Sequence, residues 1–221
     1  MEFNSALFNL LLEGLRDTLI MVLASTLMGY LLGLPLGVLL TVTDRDGISP
    51  HPALYKVLDL IVNILRSVPF LILLIMLIPF TKLVVGQSYG TQGTIVPLTV
   101  AAAPFIARLV ESSLKEVDRG VVEAAQSMGA GKWTIITKVL IGEARTSLLV
   151  GVTISLGTIL GYSAMAGVVG GGGLGDIAIR YGYYRWETGI MLLTVAVLVV
   201  LMQLLQGIGN LLSKKIDRRK V

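Results

Sequence analysis

Residues that could do chemistry stand out in this chain because they interrupt long apolar runs. Asp59, Asn63 and Arg66 are spaced four and three apart, which places them on one face of a helix. A charged side chain at the centre of a membrane helix costs about 2.5–3.5 kcal/mol on insertion scales, so such a stripe faces protein or water. Asp59 and Arg66 are separated by about 10 Å at 1.5 Å rise per residue, too far for a close pair without a bridging group. The stripe reads first as a polar clamp between helices and second as part of a translocation path. Gly129-Ala130-Gly131-Lys132-Trp133 invites comparison with a phosphate-binding loop, but the first glycine of that motif would fall on Gln126. Trp133 also replaces the magnesium-binding hydroxyl. Gly170-Gly171-Gly172-Gly173-Leu174-Gly175 has dinucleotide-fingerprint spacing, yet it follows an apolar helical run rather than a strand. It fits a tight re-entrant turn at an outer mouth. There is no cysteine, and the one histidine, His51, lies between two prolines, so thiolate and histidine metal sites and cysteine nucleophiles drop out. No catalytic residue, cofactor or metal is expected.

The most informative polar segment is Asp118-Arg119-Gly120 followed by Glu123-Ala124-Ala125-Gln126-Ser127-Met128-Gly129. Gly120 is a tolerable N-cap, and Glu123 then falls at the third helical position, where a carboxylate favours the helix dipole and reaches back to the cap. Val121, Val122, Ala125 and Met128 form an apolar stripe, Ala124 and Ala125 keep one side slim, and Gly129 can take the left-handed conformation that ends the helix. Such a short helix fits a groove on another protein. The alternative is an amphipathic helix lying on a membrane surface.

Both sets of residues have to be positioned by elements that water cannot solvate. The chain has 221 residues, 54% hydrophobic and 14% charged, against about 25% charged in an average soluble domain. Its mean hydropathy is +0.83, more than a soluble fold can cover with polar groups. Five stretches approach the roughly 20 apolar residues that cross a bilayer: 18–42, 57–80, 94–110, 146–168 and 188–212. The third is the shortest and contains Pro97 and Pro104. These spans describe an all-α membrane protein with a single transmembrane domain over 1–221 and a long loop at 111–145. Glu2, Glu13 and Asp17 stand where a cleavable leader carries basic residues, so the first span is expected to remain. Lysine and arginine placement sets the orientation. The tail residues Lys214, Lys215, Arg218, Arg219 and Lys220, with Arg45, Lys56, Lys115, Arg119, Lys132, Lys138 and Arg145, gather on one side; Arg16, Lys82, Arg180 and Arg185 fall on the other. The C-terminus and the 111–145 loop are therefore expected in the cytoplasm and the N-terminus outside. The net charge of +4 is dispersed between apolar blocks, which points to membrane topology and lipid contact rather than to nucleic acid.

A cytoplasmic Glu-Ala-Ala, three residues, then Gly, with a patterned segment further on, resembles the signature loop of ABC importer permeases. Where the family pattern continues Ile-x-Leu-Pro, this chain has Val139-Leu140-Ile141-Gly142. Further blocks are similar to the methionine-importer branch: Asn63-Ile64-Leu65-Arg66-Ser67-Val68-Pro69-Phe70, Ile95-Val96-Pro97-Leu98-Thr99, Ala103-Pro104-Phe105-Ile106-Ala107-Arg108, Gly161-Tyr162-Ser163-Ala164-Met165 and Gly172-Gly173-Leu174-Gly175. Five spans suit that branch as well. The resemblance implies a type I importer permease fold in the bacterial inner membrane. It implies that Glu123, Ala124, Ala125, Ser127, Met128 and Gly129 couple the permease to an ATPase. It also implies a permease homodimer, two ATPase subunits, which alone hydrolyse ATP, and an extracytoplasmic substrate-binding protein. The methionine assignment rests on that similarity; an importer permease for another small solute stays open. A standalone secondary transporter would need mid-membrane acidic groups, for which Asp59 is the candidate, and usually an internal repeat.

Met165 lies near the outer end of the fourth span, about 28 Å from Thr146 at 1.5 Å per residue. Gly161, Ala164, Ala166 and Gly167 surround it. These small residues would let helices of two subunits approach and leave Met165 as a flexible plug, a pore-gate candidate. Packing between helices of one subunit is the alternative. Gln203, Gln206 and Asn210 form a further polar stripe suited to interhelical hydrogen bonds, and Gly33 and Gly37 form a small-xxx-small pair.

Overall fold

Residues 5–216 are described by a computed structural model, with no strand among them. Glu2, Arg218, Arg219 and Lys220, used above for orientation, lie outside the described residues. The chain runs through α1 (Ser5–Thr43), α2 (Pro52–Ser67), α3 (Phe70–Met76), α4 (Ile78–Val85), α5 (Gly90–Lys115), α6 (Arg119–Ser127) and α7 (Lys132–Thr134). It continues through α8 (Ile141–Ala166), α9 (Gly173–Ile177) and α10 (Thr188–Ile216), with π-helical segments at Ile135–Leu140 and Ala178–Tyr183. Helical runs long and apolar enough to cross a membrane are Ser5–Thr43, Gly90–Lys115, Lys132–Tyr183 and Thr188–Ile216.

The stretch 57–80, expected as one span, is divided. α2 and α3 meet at a 98° bend, because Pro69 pushes the residue before it out of the helical region. Val68 sits at φ −78°, ψ 124° and Pro69 at φ −58°, ψ 133°. The third span shows the opposite outcome: α5 passes through Pro97 and Pro104 without ending, and both prolines are buried in the bundle. Helix-breaking residues survive at membrane depth when neighbouring helices enclose the freed backbone groups. Ends move outward as well, so that α5 reaches Lys115 and α8 begins at Ile141, which shortens the irregular part of the 111–145 loop. Gly142 falls in the first turn of α8 and nothing lies within 4 Å of where its Cβ would be. The absent proline therefore leaves the re-entry into the membrane helical.

The core forms along the α1–α5 contact, the most extensive helix pair in the fold. A Cβ on Gly33 would come within 2.6 Å of the Ala103 carbonyl oxygen, and one on Gly37 within 2.5 Å of the Ala107 carbonyl oxygen. Close backbone approach of this kind is how helices associate where lipid competes for apolar surface. The small-xxx-small pair Gly33 and Gly37 is thus the main packing seam, and Gly29 extends it toward Ala102. α8 and α10 complete the bundle around Ile106, Val110, Ile159 and Leu160. At one end, the glycine loop 170–173 is latched between α1 and α5. The Gly90 amide donates to the Gly170 carbonyl at 2.9 Å, Thr94 donates to the Gly171 carbonyl at 3.0 Å, and the Leu174 amide donates to Thr18 at 2.9 Å. Positive φ at Gly170, Gly172 and Gly173 makes this the tight turn that the sequence suggested.

Candidate functional site

α6 starts two residues earlier than expected. Asp118, not Gly120, is its N-cap: the Asp118 carboxylate accepts from the Gly120 amide at 2.7 Å, and a carboxylate satisfies an orphan N–H that glycine cannot. Glu123 consequently falls at the fifth helical position, past the first turn, and makes no return bond to the cap. The C-terminal end is as expected, with Gly129 at φ +78° and its amide bonded to the Gln126 carbonyl at 2.9 Å. The apolar stripe is split between two directions. Ala125 is buried and Val122 packs against the same core cluster, while Val121 and Met128 face outward. Met128 is 82% exposed and Trp133, just beyond the turn, is 76% exposed. α6 is thus pinned to the bundle on one side and offers apolar side chains on the other. Glu123, Ala124 and Ser127 lie on its exposed part.

The loop after α1, to which the sequence reading gave no role, braces this helix. Asp46 pairs with Arg119 at 2.6 Å and Lys132 donates to Ser49 at 2.8 Å. Both partners of the first pair are largely exposed, so it orients more than it stabilises. Between the loop and α6 lies a cleft of about 560 Å³ lined by Asp44, Arg45, Arg119, Glu123 and Gln126, among others.

The intramembrane polar stripe does not act as one unit. Asp59 and Asn63 meet Arg108 of α5: Arg108 donates to Asp59 at 2.6 Å and to Asn63 at 2.9 Å, and Asn63 donates to Asp59 at 3.1 Å. Arg108 also donates to Glu111 at 2.7 Å, Lys115 donates to Glu111 at 2.8 Å, and the Tyr55 hydroxyl donates to Glu111 at 3.1 Å. Lys115 closes the chain on Asp44 at 2.7 Å. Glu111 is 2% exposed, so a second acidic residue besides Asp59 sits within the apolar helices, between two cations. Alternating charge is what lets the group be buried, since an isolated carboxylate there would neutralise instead. Asp44 lies in the loop, outside the spans, and its hydrogen bond from Lys115 holds its carboxyl below the ordinary value. Arg108, Glu111 and Lys115 were missed as a set, although their i, i+3, i+7 spacing within an apolar run carried the signal.

Arg66 stands apart from this network and makes no hydrogen bond or ion pair among the described residues. It lines a separate cavity at the α2–α3 bend with Phe70, Phe105 and Tyr162. Met165 is half exposed on the last turn of α8. The small residues around it divide: a Cβ on Gly161 would meet open space, whereas Gly167 and Gly175 lie against backbone of their own chain. Ala166 is fully buried. Ala164 and Ala166 therefore pack the glycine loop within one chain, and Gly161 with Met165 forms the open face.

A bundle of apolar helices with a broken second element and a short helix held out at one end is the architecture of a multi-span membrane protein. The chain belongs to the family of binding-protein-dependent transport system inner membrane components, whose model matches residues 33–218, and is a multi-pass inner-membrane protein. It is 53% identical over 211 residues to the probable D-methionine transport system permease protein MetI of Vibrio cholerae, covering 96% of this chain and 94% of that one. It is 51% identical over 158 residues to the D-methionine transport system permease protein MetI of Escherichia coli K12, covering 72% and 73%. A chain of the inward-facing MetNI methionine ABC transporter superposes with a TM-score of 0.96 at 45% identity, covering 98% of this chain and all of that one. The expected all-α type I importer permease fold is borne out by that match.

Proposed function

We propose that this chain is the membrane-spanning subunit of an ATP-driven importer that carries methionine, in its D or L form, into the cell. The names and the fold of the relatives above support the solute. The observation that carries the mechanism is α6: a nine-residue helix, capped by Asp118 and Gly129, fixed to the core by Val122 and Ala125, with Val121, Met128 and Trp133 turned outward. A rigid projection of this kind transmits force between a membrane bundle and a docked partner. Two copies pair about an axis along the membrane normal, each α6 receives an ATPase subunit, and an extracytoplasmic binding protein delivers the solute. The 111–145 segment and the C-terminus face the cytoplasm and the N-terminus faces outward, by the distribution of lysine and arginine. Reversing a 99:1 population of inward- and outward-open states takes about 5.5 kcal/mol, which the ATP cycle supplies through α6. Nucleotide chemistry is left to the partner.

The assembled complex in proteoliposomes, with binding protein and a panel of amino acids, tests this reading. Methionine is expected to stimulate both ATP hydrolysis and uptake. Stimulation by another amino acid alone would overturn the solute, and uptake without a co-purifying ATPase would overturn the mechanism.

A further inference from the structure

Arg66 rises about 16 Å along α2 from Tyr55, eleven residues away at 1.5 Å each. Tyr55 is tied through Glu111 and Lys115 to the Asp44 loop at the helix ends. That rise along α2 is about half of a hydrocarbon core roughly 30 Å thick. Among the described residues no anion pairs with Arg66: Asp59 and Glu111 are both bound to Arg108. The cavity beside it, about 240 Å³, is walled by Val68, Phe70, Ala101, Phe105 and Tyr162. The Phe70 and Tyr162 rings stack at 4.6 Å between centroids and 5° between planes, which makes one wall flat and rigid. A free fork of N–H donors facing an apolar chamber is a receptor for one carboxylate joined to an apolar side chain.

Resting on the importer reading above, we infer that this cavity is a contact point for the solute in transit: Arg66 takes the α-carboxylate of an apolar amino acid while Phe105 and the Phe70–Tyr162 stack hold its side chain. The α2–α3 bend creates the space, because a straight span would carry Phe70 past α5 rather than across it.

Photo-methionine, which keeps the carboxylate and amine and carries a diazirine in its side chain, tests this on the complete complex of permease, ATPase and binding protein. Illumination is expected to label the peptides bearing Phe105 or Tyr162, and excess methionine to suppress the labelling. Arg66→Gln is expected to lower both labelling and uptake by about tenfold or more, the worth of a charge-assisted hydrogen bond, while Arg66→Lys recovers part. Ala101→Phe, which fills the cavity and leaves Arg66 in place, should block labelling as well, with the ATPase still co-purifying. Labelling confined to other peptides, or Arg66→Gln uptake indistinguishable from wild type, would overturn the site. Loss of ATPase co-purification in Arg66→Lys and Ala101→Phe alike would assign the cavity to subunit packing and also overturn it. Absence of methionine uptake by the wild-type complex would overturn the importer reading too, whereas robust uptake with an unlabelled cavity removes only this site.

Discussion

At the scale of single residues, Glu111 is the position whose loss should cost most. It sits between Arg108 and Lys115, so Glu111→Leu removes the buried anion they share and leaves Arg108 to Asp59 and Lys115 to Asp44 alone, at about 3–5 kcal/mol for breaking a buried pair. Thermal unfolding in detergent should show a clear fall in midpoint, and an unchanged midpoint would mean that water already serves these charges. Asp44 offers a milder test with a defined pH sign. Its carboxyl is held below the ordinary aspartate value when folded because Lys115 donates to it. A depressed carboxylate contributes stability above its unfolded value that is lost as pH falls through the folded one. Asp44→Asn should therefore be less stable than wild type at neutral pH, with the gap closing in acid below the ordinary aspartate value. Gly129 concerns coupling instead. At φ +78° a leucine is strained by about 1–2 kcal/mol, enough to displace the end of α6. Gly129→Leu should insert normally yet lose transport, and retained uptake would remove α6 as the coupling element.

Among the helices, the α1–α5 seam is held by absence of side chains, so Gly33→Leu should force the pair apart. The variant is expected to fail to accumulate in membranes, while Gly131→Leu, where a Cβ has open space, should accumulate normally. Much of this architecture was legible in the sequence, because 39-, 26- and 29-residue apolar helices announce themselves by hydropathy alone. The bend at Val68–Pro69 was not read, since hydropathy is blind to direction, although the proline itself was in view. The charged network was legible only by half. Asp59 and Asn63 stood out on their own helix, but their partner Arg108 comes from α5, and no spacing within one helix reveals which face of another it will meet. The N-cap shifted for a local reason: Asp118 and Gly120 compete for one position, and the carboxylate prevails.

For the whole molecule, orientation and gating are linked, because a plug at Met165 makes sense only if that end faces outward. Single cysteines read the orientation cleanly in a chain that has none of its own. Ser127→Cys should resist an impermeant reagent in intact cells and Trp186→Cys should react, and the reverse pattern would invert the topology. Met165 stays half exposed at the end of α8 while its neighbours Ala164 and Ala166 are consumed by the glycine loop. Packing inside one subunit therefore does not account for it. With Gly161 open one turn below, two copies can bring these faces together on the twofold axis, where a flexible thioether fills an irregular gap. Closing the outer mouth this way favours the inward-open state, so Met165→Ala should raise ATP hydrolysis in the absence of solute. Met165→Cys is the sharper measurement. It should cross-link between copies without nucleotide and far less when ATP is trapped, because opening the outer mouth separates the two α8 ends. Cross-linking that ignores nucleotide, or never forms, would leave Met165 facing lipid and place the gate elsewhere.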